Sequence, residues 1–125
     1  MVNAYTTADL PESLMEQMEG YTPDRDFVSN GCSCSPDEFG GVDLRPACHY
    51  HDWAYHLGGC ERKRKGADQM LYRNLVRCGL SARMAGVYYR RVRLFGVNAF
   101  RWQKGYEPSK PWCYIWLFFE RYVRF

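Results

Sequence analysis

The stretch Cys48-His49-Tyr50-His51-Asp52-Trp53-Ala54-Tyr55 sets an imidazole beside a carboxylate, with a cysteine three residues before His51 and a tyrosine four residues after it. Histidine changes its charge near neutral pH, so this grouping suits proton transfer. On a helix, residues three and four apart share a face. That spacing turns His51 inward among Ala47, Cys48, Ala54 and Tyr55. Asp52 then sits about 100° round the helix from His51 and can serve a neighbouring site. One residue handles a proton while the next holds a cation.

The elements that must position these groups follow from the sequence punctuation. Leu10 to Met18 carries Leu10, Leu14, Met15 and Met18 at helical spacing, with Pro11 tolerated in the first turn, and predicts a short amphipathic helix. Tyr21 to Gly41 has the composition of a loop, with sharp turns at Ser29-Asn30-Gly31 and Phe39-Gly40-Gly41. It is long for a structureless segment, which suggests a task of its own. A second helix is expected from Asp43 or Arg45, with Pro46 early, to Gly58-Gly59. A third runs from about Lys65 to Cys78, with Asp68, Leu71, Tyr72 and Leu75 along one stripe. Joined by a short basic turn, the two should pack antiparallel and let Asp68 face His51. Ser81 caps a fourth helix through about Phe95. Trp112 to Phe125 is aromatic and suits either a strand or a helix.

At 125 residues the chain fits one domain, 1–125, large enough to bury a core. Its 46% hydrophobic content excludes general disorder, and no apolar run approaches the ~20 residues of a membrane span. Met1 to Gly20 is acidic and lacks a continuous apolar core, so it does not read as a secretory signal. The expected setting is the cytoplasm, a larger particle, or secretion by processing. Residues 1–43 hold nine acids and one base, and residues 44–125 hold sixteen bases and five acids. The basic part, with Arg62-Lys63-Arg64-Lys65 and Arg90, Arg91 and Arg93, suits anionic partners such as lipid phosphates. Solvated helix faces balancing the acidic third explain the same charges. No recognition element favours nucleic acid.

Residues 30–79 resemble the small calcium-dependent phospholipases A2 of the secreted superfamily, which has bacterial and viral members. The resemblance rests on Gly31-Cys32-Ser33-Cys34 opening a calcium-type loop, on Cys48 before His51-Asp52, on Tyr55, and on Ala67-Asp68. It implies a mostly α, phospholipase A2-like fold in which two antiparallel core helices carry a His51–Asp68 dyad after a calcium-binding-like loop. It also implies calcium-dependent hydrolysis of the sn-2 acyl ester of glycerophospholipids at a membrane surface. Two disulfides of the animal enzymes are absent as whole pairs, with Ala54 and Ala67 in place of one and Ala47 and Asn74 in place of the other. Half a pair would leave a reactive thiol, so the joint loss fits a true relative.

Each implied role has a physical basis. His51 takes a proton from water, and Asp68 fixes its tautomer and stabilises the imidazolium. Tyr55 and Tyr72 are hydrogen-bond donors to Asp68 or packing groups. Asp52 and the carbonyls of Ser33, Ser35 and Asp37 would hold Ca²⁺, a hard cation that stabilises a developing oxyanion. The retained bridge is Cys34 to Cys48. Cys60 and Cys78 flank the third helix and are a second candidate pair, leaving Cys32 with Cys113, unless all six thiols stay reduced.

Other readings stand beside this one. Ser35-Pro36-Asp37-Glu38 occupies the place of a glycine-rich turn, which favours a catalytically silent module that binds a membrane or partner. His49, Asp52 and His56 at i, i+3 and i+7, with Cys32, Cys34, Cys48 and Cys60, offer a zinc-binding alternative. The tail residues Trp112, Tyr114, Trp116, Phe118, Phe119, Tyr122 and Phe125, interleaved with Arg121 and Arg124, suit lipid headgroups, self-association, a larger particle, or packing onto the core.

Overall fold

The computed structural model describes residues 4–29 and 38–106, and within them the chain is mostly helical. Strand β1 (Tyr5–Thr6) leads through a 3-10 turn to the single-turn helix α1 (Glu12–Met15). Strands β2 (Val28–Ser29), β3 (Glu38–Phe39) and β4 (Val42–Asp43) precede helices α2 (Arg45–Leu57), α3 (Glu61–Cys78) and α4 (Ala82–Phe95). β1 pairs antiparallel with β2, Tyr5 opposite Ser29, and β3 with β4, Glu38 opposite Asp43. Gly40 and Gly41 both have positive φ, the requirement for a tight two-residue hairpin turn.

α2 and α4 form where the spacing predicts and α3 starts earlier, and each start has a local cause. Asp43 Oδ1 accepts the Arg45 N–H at 3.0 Å, and Pro46 follows in the first turn of α2. The Ser81 hydroxyl accepts the Met84 N–H at 3.3 Å and opens α4. α3 begins four residues before the predicted Lys65, because Gly58-Gly59 make the whole reversal and Glu61 stands in its first turn, where an acid is favoured. The basic run is therefore helix, not turn.

α2 packs against α3, and α3 against α4. The main core joins Leu10, Met15 and Met18 from the N-terminal segment to Leu44, Ala47, Tyr50, Leu71, Leu75, Leu80, Ala85 and Tyr88. The predicted Leu10–Met18 helix is shorter than expected, a turn at Glu12–Met15. Its continuation is claimed by α3: buried Asn74 accepts the Glu19 N–H at 2.7 Å and donates to the Glu19 carbonyl at 3.1 Å. Arg73 and Arg77 pair with the Glu19 carboxylate from the same helix.

Cys60 and Cys78 are free thiols, which corrects the candidate bridge between them. They stand at opposite ends of α3, and at 1.5 Å per residue that is about 27 Å, far beyond disulfide reach. Cys48 is disulfide-bonded, and its partner lies outside the described residues. So do Cys32, Cys34, Ser33, Ser35, Asp37 and the aromatic tail.

His49 is wholly buried and clamps the N-terminal segment to α2. Its Nε2 meets Thr7 Oγ1 at 2.7 Å and its Nδ1 meets Ser29 Oγ at 2.9 Å. Burial pushes its pKa down to about 4. Below about pH 6.5 the unfolded chain takes a proton that the folded chain refuses, so stability falls as pH drops from about 6.5 towards 4, by about 1.4 kcal/mol per unit at most. Urea unfolding at a series of pH values should show this loss above the range where carboxylates titrate. His49→Gln, which can still donate and accept, should flatten that part of the profile.

Candidate active site

Asp68 lies in the middle of α3 and is fully buried. Its Oδ1 meets His51 Nε2 at 2.7 Å and accepts the Tyr55 hydroxyl at 2.6 Å. Its Oδ2 accepts from Arg93 Nη1 at 2.8 Å, with Arg64 Nη1 3.6 Å away. α2 delivers His51 and Tyr55 from one stripe, α3 delivers Asp68 and Arg64, and α4 delivers Arg93.

The electrostatics follow from this crowding. Burial works against charge on Asp68, but the hydrogen bonds from His51 and Tyr55 and the nearby Arg64 outweigh it and hold the carboxyl below its usual range. An ionised carboxylate only accepts hydrogen bonds. His51 Nε2 must then be the donor, which places the imidazole lone pair on Nδ1. That nitrogen makes no hydrogen bond among the described residues, and 8% of the His51 side chain remains exposed. Burial, then the charge of Asp68, keeps the Tyr55 phenol protonated, so it stays a donor.

Glu61 extends the cluster outward. It accepts Arg64 Nε at 2.9 Å and pairs with Arg93 Nη2, so both arginines are shared between two carboxylates. Two acids and two arginines thus balance one another in charge. Arg64 and Arg93 are 1% and 2% exposed, which corrects their expected place on a phosphate-binding face. Arg62, Lys63, Arg90 and Arg91 do lie at the surface.

The sequence reading missed Arg93, Arg64 and Glu61. The signal was present in the spacing. Ala85, Tyr89 and Arg93 form one buried i, i+4, i+8 row on α4, and Arg64, Asp68 and Leu71 continue the α3 core stripe. Arg93, not Tyr72, takes the second carboxylate oxygen of Asp68. Tyr72 is half-buried at the edge of the main core.

Asp52 is half-buried on α2, on a face adjoining that of His51. It is the one proposed calcium ligand among the described residues. Among the described residues the zinc alternative loses His49, whose ring nitrogens are both committed to Thr7 and Ser29, and Cys48, which is disulfide-bonded. No group of three or more His, Cys, Asp or Glu side chains suited to a metal forms among the described residues. Surface cavities among the described residues lie to either side of Tyr50. One of about 450 Å³ is lined by Thr7, Leu10, Glu12, Met15, Arg25 and Tyr50, and one of about 230 Å³ by Tyr21, Tyr50, Trp53, Leu57, Lys63 and Met70. Comparison of the chain with family models, curated proteins and solved structures found no match. No helix among the described residues is long and apolar enough to cross a membrane.

The chain after α4 braces the Tyr55 side. Arg101 N–H donates to the Tyr55 carbonyl at 3.2 Å, Gly59 N–H donates to the Arg101 carbonyl at 3.0 Å, and Phe100 packs edge-on against the Tyr55 ring. Gly96 lies directly against the Tyr55 hydroxyl, so a Cβ there would overlap it although the backbone itself accepts alanine. Gly96→Ala should push Tyr55 off Asp68 and cost about 1–3 kcal/mol in urea unfolding. Gly66→Ala, on α3 with nothing within 4 Å of the new methyl, should instead be neutral or stabilise by up to about 1 kcal/mol. Equal effects at the two sites would remove the steric account of Gly96.

Proposed function

We propose that the chain hydrolyses the sn-2 acyl ester of glycerophospholipids with calcium, at a membrane surface. The observation that carries this reading is the 2.7 Å hydrogen bond between His51 Nε2 and the buried Asp68, which leaves the other imidazole nitrogen as a base. The resemblance of residues 30–79 to the secreted phospholipases A2 supplies the reaction class.

In this mechanism His51 Nδ1 takes a proton from a water molecule as that water attacks the ester carbonyl carbon. Asp68 holds the ring at Nε2 throughout and stabilises the imidazolium. When the tetrahedral species collapses, the C–O bond to the glycerol breaks and the proton passes from Nδ1 to the leaving alkoxide. The products are a fatty acid and a lysophospholipid. Tyr55, kept protonated, and the arginines behind Asp68 keep the carboxylate in place. A half-buried carboxylate beside the base suits a hard cation that prefers oxygen ligands, so Asp52 with the carbonyls of Ser33, Ser35 and Asp37 would hold Ca²⁺. The ion would supply electrostatic stabilisation of the oxyanion.

The test is fatty-acid release from mixed anionic and zwitterionic vesicles, with excess Ca²⁺ and with chelator. Release should require calcium, and His51→Gln should lower it by at least ~100-fold with the circular dichroism spectrum unchanged. Asp52→Ala should raise the calcium concentration needed for half-maximal release. Absence of release on every lipid composition would overturn the reading, and unchanged release by His51→Gln would remove His51 from the mechanism.

A further inference from the structure

A buried carboxylate has two oxygens and several ways to point them, and the way it points decides what the histidine beside it does. In this chain three helices contribute to that choice. Oδ1 of Asp68 faces His51 and Tyr55 of α2, while Oδ2 faces Arg93 of α4. Arg93 is held in turn by Glu61 at the start of α3, through its other terminal nitrogen. Its guanidinium therefore bridges two carboxylates seven residues apart on α3, with one donor group on each. A planar fork presents its donors at a fixed separation and direction, whereas a single ammonium on a flexible stem must reach both carboxylates from one point and fixes neither direction.

Arg64 lies on the other side of the same pair. It binds Glu61 at 2.9 Å and the Val92 carbonyl at 3.3 Å, but its nearest nitrogen is 3.6 Å from Asp68. That is beyond a hydrogen bond. Arg64 therefore balances charge and ties α3 to α4, and Arg93 is the arginine in hydrogen-bond contact with the Asp68 carboxylate. The row Ala85, Tyr89 and Arg93 puts this guanidinium at the inward end of α4, one residue row before Gly96 meets the Tyr55 hydroxyl. Two contacts thus reach the cluster from this side, Arg93 of α4 at Asp68 and Gly96, the residue just after α4, at Tyr55.

We propose that Arg93 is a positioning residue: by occupying Oδ2 of Asp68 and anchoring to Glu61, it fixes Oδ1 on His51 and holds the imidazole in the tautomer with its proton on Nε2. The proposal deepens the phospholipase reading, on which its catalytic consequence rests. Without Arg93 the carboxylate loses its hydrogen-bond partner at Oδ2 and can rotate away from Nε2, so the ring can give its Nε2 proton to solvent and take one from solvent at Nδ1, which removes the base. Partners that orient a primary residue are commonly worth 10–100-fold in activity. Arg93→Gln removes the cation, and Arg93→Lys keeps it while losing the fork.

The experiment has two readouts on the full chain. The first is the ¹⁵N spectrum of histidine-labelled, calcium-free protein at a pH where the rings are neutral, which assigns the His51 tautomer without any turnover. The second is fatty-acid release from anionic vesicles with calcium, resolved into kcat and KM. Arg93→Gln should give a mixed His51 tautomer and a kcat lowered 10- to 100-fold at nearly constant KM. Arg93→Lys should keep most of the Nε2–H form and lose several-fold in kcat. A folded Arg93→Gln with the unchanged Nε2–H tautomer would overturn the inference, even if its rate fell. If Arg93→Gln does not fold, Arg93→Lys decides: an unchanged kcat would overturn the role of the fork. A wild-type chain inactive on every lipid whose tautomer still responds to Arg93→Gln would sink the phospholipase reading alone and leave the positioning role standing.

Discussion

The structure is organised around one buried negative charge. Asp68 is inaccessible to water, and an isolated carboxylate taken into a protein interior is costly enough that it must be paired or give up its charge. Pairing it with His51 and Tyr55 alone would join α2 to α3 and leave one oxygen facing α4. Arg93 fills that position, and its own charge then has to be met by Glu61. Each partner brings an element with it, so neutralising one carboxylate sets the relation of all three long helices. Removing one member of such a group leaves a charge without its partner and is expected to cost about 3–5 kcal/mol.

Alanine at positions 54 and 67 has a clear consequence in this setting. Small side chains let α2 and α3 approach closely, and Ala54 and Ala67 pack with Tyr55, Phe100 and Trp102 in a second, smaller cluster. The tie between helices is carried by hydrogen bonds to Asp68 a residue away. The other pair, Ala47 and Asn74, behaves similarly: Ala47 is wholly buried in the main core, and Asn74 uses its amide to hold the Glu19 backbone. A buried amide with both ends bonded to the backbone of one residue is a geometric fastener, and it draws the N-terminal segment onto α3.

How much of this could be read from the sequence depended on the range of the causes. α4 was legible because its start is a local event, a serine hydroxyl on an amide three residues away. The ends of α2 were legible for the same reason, through Asp43, Pro46 and Gly58. The early start of α3 was hidden because four consecutive basic residues look like a solvated turn, although one of them, Arg64, turns into the core once the run is helical. α1 was overestimated because Asn74, fifty-five residues later, competes for the Glu19 backbone, and no local pattern carries that information. The approach of His51 to Asp68 was legible, since two amphipathic stripes and a short connection bring them together. Arg93 was not, because its charge grouped it with Arg90 and Arg91 while its spacing grouped it with Ala85 and Tyr89. Where charge and periodicity disagree, periodicity reported the burial.

His49 and His51 make the last distinction, because they stand two residues apart on one helix and share every property that composition records. Their ring planes face different neighbours, since two residues on a helix differ by about 200°. His49 looks towards the N-terminal segment, where Thr7 and Ser29 take both its nitrogens and burial favours its neutral form. A ring bonded at both nitrogens has no lone pair to offer a substrate and serves as a clamp. His51 looks towards α3, where one nitrogen is held by an ionised acid and the other makes no bond among the described residues. A base needs this asymmetry: one nitrogen fixed so that the ring cannot turn, and one available to take the proton. The helix produces it by rotation alone, placing a histidine bonded at both nitrogens and one held at a single nitrogen within a single turn.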